Sequence, residues 1–198
     1  KIAPSIFKSL DLNYIRYACE PNGRNINKNC GATFPHNLSV VTLKNNAFLG
    51  ISFDGDADRV IFSDETGKII DGDYILAILA IYLKKKNNLK NNSIISTRMS
   101  NLGFRNFLKE NDIDYYLSKV GDRYVIELMK EKKSVLGGEQ SGHIIFSNNS
   151  YCGDGILTAL IIINILKDQR TSLSNLCKNL FEKVPQKLVN FKLKNNPE

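Results

Sequence analysis

The chain has 198 residues, 42% hydrophobic and 24% charged, with 27 basic against 20 acidic side chains. That length and apolar share provide one or two domains with a real core, and exclude a disordered tail, a collagen or a disulfide-stapled mini-protein. The net charge of +7 is scattered behind expected helices (Lys84, Lys85, Lys86 and Lys90; Lys130, Lys132 and Lys133), where cations suit the helix dipole; no groove-reading motif or aromatic-interleaved basic stripe accompanies it, so no nucleic-acid partner is expected.

In chain order, Ala3–Leu10 reads as a helix and Tyr14–Cys19 as a short strand. Asn37–Asn46 is ambiguous: Val40, Val41 and Thr42 favour a strand, but Leu38, Val41 and Lys44 recur at helical spacing, which predicts a helix. Leu49–Phe53 and Val60–Ser63 read as apolar strands flanking an acidic turn. Thr66-Gly67 breaks the chain before Lys68–Ile70. Asp73 stands where an N-cap belongs, ahead of a helix Tyr74–Lys86. Ile94–Thr97 is a strand, Ser100 caps a helix reaching about Glu110, and Tyr115–Ser118 is the next strand. Asp122–Lys132 is helical, Val135–Leu136 and Ile144–Phe146 are strands, Asp154 caps Gly155–Lys167, and Leu173–Phe181 is a last helix before Pro185. Leu188–Leu193 is strand-like. Strands alternating with helices give an α/β class, with the cut between two units near Lys68–Asp73.

The apolar stretches Tyr74–Leu83 and Ile156–Leu166 fall short of the roughly 18–20 residues that cross a bilayer, so no membrane association is expected. No secretory signal pattern is visible. Cys19, Cys30, Cys152 and Cys177 lack the C-x-x-C spacing of zinc or redox sites, and read as free, mostly buried thiols of a cytoplasmic protein. The chain opens on Lys, in mid-phrase, as a piece of a longer protein would.

The strongest chemical signal is Asp54-Gly55-Asp56-Ala57-Asp58-Arg59. Three carboxylates at alternate positions repel one another unless a divalent cation offsets them. All-oxygen ligation suits Mg²⁺ or Ca²⁺. The same aspartates match positions 1, 3 and 5 of a calcium EF-hand with Glu65 at position 12, but that loop wants Gly at position 6, where this chain has Arg59, and helices where this chain has strands. A bound cation would repel the Arg59 guanidinium unless an anion lay between them, and a phosphate fills that place. Metal plus phosphate points to phosphoryl transfer.

Gly137-Gly138-Glu139-Gln140-Ser141-Gly142-His143 lies between two strands. Its glycines allow close backbone approach, and a carboxylate can accept from two neighbouring hydroxyls, as a sugar presents them. A plain hairpin with a polar tip is the alternative, and for His143 a satisfied strand histidine is an equal alternative. Gly121-Asp122-Arg123-Tyr124 sits at a strand-to-helix junction able to hold an anion, with Asp122 as N-cap the simpler reading. Thr97-Arg98-Met99-Ser100-Asn101 occupies a similar junction and reads as a cap.

Phe53 to Arg59, Met99-Ser100-Asn101-Leu102-Gly103, Val120-Gly121-Asp122-Arg123-Tyr124-Val125 and Gly138-Glu139-Gln140-Ser141-Gly142-His143 occur in order. With Cys19-Glu20-Pro21-Asn22-Gly23 they resemble the bacterial phosphoglucosamine mutase family of the α-D-phosphohexomutase superfamily, along nearly the whole chain. The resemblance implies two α/β domains with mixed sheets flanked by helices: residues 1–68 as the C-terminal part of domain II with the metal loop, 69–184 as domain III with the sugar-binding loop, and 185–198 as a linker towards domain IV. It implies a Mg²⁺-dependent isomerase that interconverts glucosamine 6-phosphate and glucosamine 1-phosphate through a phosphoserine and a 1,6-bisphosphate. Asp54, Asp56 and Asp58 would hold Mg²⁺, and Arg59, Asp122, Arg123, Glu139, Ser141 and His143 would meet phosphate or sugar. The nucleophilic serine belongs to domain I, so no catalytic residue is expected in this chain; domains I and IV would be its partners, and alone it is expected to be inactive and to self-associate. A phosphomannomutase or phosphoglucomutase, or a non-catalytic sugar-phosphate-binding module, are the alternatives.

Overall fold

A computed structural model describes residues 2–189. In chain order the elements are α1 (Ile2–Ser9), α2 (His36–Lys44), β1 (Leu49–Phe53), β2 (Val60–Asp64), β3 (Ile69–Ile70), α3 (Gly72–Lys85), β4 (Ser93–Thr97), α4 (Leu102–Glu110), β5 (Asp114–Ser118), α5 (Asp122–Lys132), β6 (Leu136–Gly138), β7 (Ile144–Phe146), α6 (Gly155–Gln169) and α7 (Leu173–Lys178), with a 3-10 turn at Lys90–Asn92. The strands form two sheets. β1-β2-β3 is an antiparallel meander, and the second sheet has the spatial order β5-β4-β6-β7. There β4 runs parallel to β5 and to β6, and β6 and β7 form an antiparallel hairpin.

The layering follows from the period of two along each strand. Ile94, Leu136, Ile144 and Phe146 point to one face, where they share a core with Phe104 and Leu108 of α4, Ile162 and Ile165 of α6, and α3. Ile95 and Ile145 point to the other, against Val125 and Met129 of α5. With a helix layer on each face, β4 is buried along its whole length, as central parallel strands are. Helix α3 is apolar all round and buried from Gly72 to Ala80, the signature of a helix enclosed on every side. Val60, Phe62 and Ile70 of the meander belong to the same core as α3 and the second sheet.

Helix α2 forms where the sequence left strand and helix in competition. Other readings move. Tyr14–Cys19 is not a strand: no described strand runs beside it, and Ile15 and Tyr17 are exposed. Asp73 does not cap α3; Asp71 holds that position, without a side-chain capping bond. Asn101, not Ser100, caps α4, its Oδ1 accepting from Gly103 N at 2.9 Å. Helix α7 stops at Lys178, because Phe181 leaves it to stack on Tyr74 with ring centroids 4.4 Å apart. Only Cys177 of the four free cysteines is buried; the others lie in irregular segments that carry little core. The stretch Leu188–Leu193 lies largely outside the described residues. No described helix is long and apolar enough to cross a membrane.

Asp73 is fully buried, and its Oδ2 accepts from Asn101 N at 2.7 Å. Burial, against the opposing pull of that hydrogen bond, pushes its carboxyl up to about 6. Folding therefore favours the protonated form. The resulting stabilisation is fully present below the ordinary carboxylate value near ~4 and is lost as pH rises through about 6. Asp73→Asn removes that loss, on the order of 2–3 kcal/mol. Melting temperatures from pH 4 to pH 7 are expected to fall in the wild type and to stay flatter in the variant; parallel profiles would rule the assignment out.

Candidate metal and sugar-phosphate site

The turn between β1 and β2 carries the three aspartates. Phe53 pairs with Val60 across the hairpin, so six residues turn the chain around, and Ala57 takes a left-handed φ of +62° to let them do so. One carboxylate oxygen each from Asp54, Asp56 and Asp58 comes within 4.8 Å of the others. Asp54 is held from within: its Oδ1 accepts from Arg59 N at 3.2 Å. Burial raises its carboxyl above the usual range, helped by a hydrogen bond with Asp58 and the charges of Asp58 and Asp56, against the lowering effect of the Arg59 N–H. Arg59 Nε lies 3.6 Å from Asp54 Oδ2 and 4.0 Å from Asp58 Oδ1, one cation against three carboxylates. This donor set is all oxygen, negative and converging, which fits a hard divalent ion.

The EF-hand alternative fails on this geometry. Strands flank the loop, and Glu65, its twelfth position, accepts instead from the hydroxyl of Ser174 at the start of α7.

The glycine-rich segment is a hairpin turn between β6 and β7, seated on both sides. Gly142 N donates to Glu139 O at 3.0 Å and closes the turn between β6 and β7. On one side, Val60 N donates to Gly142 O at 3.0 Å, and Arg59 bridges His143 in antiparallel fashion. On the other, Gly72 N at the start of α3 donates to Gln140 O at 2.9 Å. Glu139 is 9% exposed, and its Oε1 accepts from Gly121 N at 3.0 Å, which ties the turn to the junction ahead of α5. β4, β5 and β6 are parallel, so the Thr97, Ser118 and Gly138 ends open on one rim. Open α/β sheets bind ligands outside the carboxyl ends of their strands.

The structure thus joins Asp54, Asp56, Asp58, Arg59 and His143 in one cluster, and links Glu139 to Gly121. Asp122, Arg123 and Ser141 are exposed. Arg123 pairs with Glu127 one helical turn on, at 2.9 Å, rather than with the acidic loop. Asp122 is the first residue of α5; Gly121 caps it at a φ of +120°. His143 is only 3% exposed, and its Nδ1 lies 2.9 Å from Asp58 Oδ2.

Sequence reasoning missed the segment Gly153–Gly155, which walls the cluster. Gly155 N donates to Ala57 O at 2.9 Å, and a Cβ on Gly153 would press on the His143 ring and the Asp58 carbonyl. Two glycines framing the capping Asp154 were the available signal. Asn25 to Ala32 was also passed over; Ala32 N donates to Phe53 O at 3.1 Å, and Ile26 packs against Gly55.

Residues 71–184 match the family profile described as phosphoglucomutase/phosphomannomutase, alpha/beta/alpha domain III. The phosphoglucosamine mutase of Thermoanaerobacter sp. (strain X514) is 49% identical over 194 residues, 98% of this chain and 43% of that protein. The phosphoglucosamine mutase of Chlamydia abortus is 47% identical over 194 residues, 98% and 42%. The chain thus spans less than half the length of these curated relatives. A phosphoglucomutase/phosphomannomutase family protein from Burkholderia thailandensis superposes with a TM-score of 0.79 at 25% identity, over 92% of this chain and 40% of that one. N-acetylphosphoglucosamine mutase of Aspergillus fumigatus, solved with GlcNAc-6P and magnesium, shares the fold with a TM-score of 0.65 at 18% identity, over 84% and 42%. With its profile match covering more than half of its residues, the chain belongs to the phosphoglucomutase/phosphomannomutase family.

Proposed function

We propose that this chain supplies the metal loop and the sugar-reading turn of a phosphoglucosamine mutase, which interconverts glucosamine 6-phosphate and glucosamine 1-phosphate. The observation that carries the reading is the convergence of Asp54, Asp56 and Asp58 within 4.8 Å, beside Arg59 and bonded through Asp58 to the end of the Glu139 turn. In this reading residues 1–68 are the end of domain II, 69–184 domain III, and 185–198 the way towards domain IV.

Asp54, Asp56 and Asp58 hold Mg²⁺. The ion supplies charge neutralisation and polarisation of a phosphoryl oxygen. Arg59, beside Asp54 and Asp58, would hold the phosphoryl anion next to the site. Glu139 accepts from sugar hydroxyls with Ser141 beside it; at the start of α5, Arg123 and the backbone N–H groups meet the second phosphate, and Asp122 accepts from a substrate hydroxyl. The phosphoryl donor, the substrate exchange and the remaining half of the pocket belong to the whole protein.

Titration of the 198-residue chain with Mg²⁺ and with Ca²⁺ tests the loop. Asp56 is exposed, so Asp56→Ala leaves the fold intact. The variant is expected to lose at least about 10-fold in Mg²⁺ affinity while melting where the wild type does; two charges instead of three offset the ion less well. Unchanged affinity would move the metal elsewhere, and a strong preference for Ca²⁺ would favour a calcium-binding protein.

A further inference from the structure

The apex of the acidic loop is held from outside the loop. Ala57 stands between Asp56 and Asp58 at a left-handed φ of +62°. A residue with a Cβ keeps that conformation only where its surroundings impose it. A change of backbone angle at Ala57 would turn Asp56 and Asp58 away from each other. Within the loop, Ala57 N donates to Asp54 O at 3.3 Å, a long bond. The shorter one comes from elsewhere: Ala57 O accepts at 2.9 Å from the N–H of Gly155, the first residue of α6.

The start of α6 is shaped to meet that carbonyl. An added Cβ on Gly155 would come within 2.9 Å of Ala57 O and 2.7 Å of Arg59 O, and one on Gly153 within 2.6 Å of Asp58 O. Three successive loop carbonyls thus rest on Gly153–Gly155. Asp154, between the two glycines, sets the direction of the helix. It is exposed but tied at three points: its N donates to Ile144 O at 3.2 Å, its Oδ1 accepts from Leu157 N at 2.8 Å, and its carbonyl accepts from Thr158 Oγ1 at 2.8 Å. Its carboxylate is turned to its own helix and is not among those that converge at the loop. The first N–H groups of a helix have no partner within it. Here the cap takes Leu157 N, and Ala57 takes Gly155 N.

We propose that Asp154 is a positioning residue for the cation site: by capping α6 it aims the Gly155 N–H at the Ala57 carbonyl, and so fixes the apex that sets Asp56 and Asp58 side by side. The proposal rests on the reading of Asp54, Asp56 and Asp58 as a metal site, and adds to it a residue that touches neither ion nor substrate. Groups that orient metal ligands through hydrogen bonds contribute to affinity from outside the coordination shell. With the apex held beforehand, an arriving ion does not have to order the loop, and ordering costs affinity.

Two readouts on the full chain decide it. The first is Mg²⁺ affinity by calorimetry for the wild type, Asp154→Ala, Asp154→Asn and Asp154→Ser, each checked for folding by circular dichroism. Ala is expected to weaken Mg²⁺ binding by about 5-fold, the weight of one helix cap. Asn and Ser, which cap as well as Asp does, are expected to stay within about 2-fold of the wild type. Should Ala fail to fold, Asp154→Gly takes its place, since a glycine keeps a helix start while giving up the side-chain bond. The second readout needs no metal. Hydrogen exchange is expected to find Gly155 N–H protected in the wild type, Asn and Ser, and exposed in Ala, with Ile162 and Ile165 of α6 equally protected in all four. Wild-type affinity or wild-type protection of Gly155 in the capless variant overturns the proposal, as does free exchange of Gly155 in the wild type. Asn as weak as Ala also overturns it, because the charge of Asp154 and not its cap would then be acting. If the wild type binds no Mg²⁺ while Gly155 is protected in every capped variant and exposed in the capless one, the reading of the loop as a metal site has failed, and the hold of α6 on Ala57 has not.

Discussion

Gly142→Ala is expected to cost about 3 kcal/mol or more of folding stability and to weaken Mg²⁺ binding in whatever fraction still folds. Gly142 sits at a φ of +92°, and a Cβ there would overlap the carbonyl oxygen of Val60. Those are two separate penalties. The left-handed backbone alone costs an alanine on the order of 1–3 kcal/mol. The overlap is with backbone, so no side chain can swing away to relieve it. Relief requires the turn and the start of β2 to part, and the bond from Val60 N to Gly142 O lies at that contact. Arg59 and His143 are the next residues along the same pairing, so the displacement reaches Asp58. Gly121→Ala is the matched control. Its φ is +120°, but its Cβ would meet only the Tyr124 ring, at 3.5 Å. It should pay for the backbone conformation alone, about 1–3 kcal/mol, and leave Mg²⁺ affinity near the wild-type value. Equal losses of stability and metal affinity in the two variants, measured by urea denaturation and calorimetry, would show that the seat of the turn on Val60 does not matter.

How much of this was legible in the sequence depends on the range of the interaction. The convergence of Asp54, Asp56 and Asp58 was legible because it is local: alternate positions in a six-residue turn between paired strands bring their carboxylates together. Asp154 and α5 were placed correctly for the same reason, since helix periodicity and a cap within three residues are written in the chain itself. Apart from the α4 cap, which is one residue out, the misplaced features depend on a distant partner. Asp73 has the spacing of a cap, but it lies buried under Asn101 N, 28 residues away. Tyr14–Cys19 has the composition of a strand and lacks a neighbour among the described residues to pair with. The Glu139 turn was recognisable by its glycines, but not its seats on Val60 and Gly72, which come from elements far along the chain. The residues alone leave His143 between a ligand-facing imidazole and a satisfied strand histidine, and only the fold brings Asp58, 85 residues earlier, to its ring.

The Met99–Gly103 segment is one of those that carry the sequence resemblance, and the structure gives it a mechanical role. Asn101 Oδ1 accepts from Gly103 N and from Val184 N, each at 2.9 Å, while Nδ2 donates to Val184 O at 2.8 Å. Its side-chain amide thus meets both polar groups of Val184, as a neighbouring strand would. Gln186 Nε2 donates to Met99 O at 3.1 Å, Tyr74 OH donates to Phe181 O at 3.2 Å, and Lys183 pairs with Asp71. A Cβ on Gly103 would overlap the Glu182 carbonyl oxygen, so the strap lies flat on α4. Asn101→Ala removes the cap and leaves the Val184 N–H and C=O without partners, an expected loss of about 2–4 kcal/mol. Asn101→Asp keeps the acceptor but loses the donor to Val184 O. It also adds a negative charge on the residue whose N–H serves Asp73, so its cost should be greater at pH 7, with Asp73 ionised, than at pH 5. Urea denaturation gives the totals, and hydrogen exchange at Val184 N–H reads the strap itself. If Asn101→Ala lowered stability while Val184 stayed as protected as in the wild type, the loss would belong to the α4 cap alone, and residues 181–186 would be held by the Tyr74–Phe181 stack rather than by the amide.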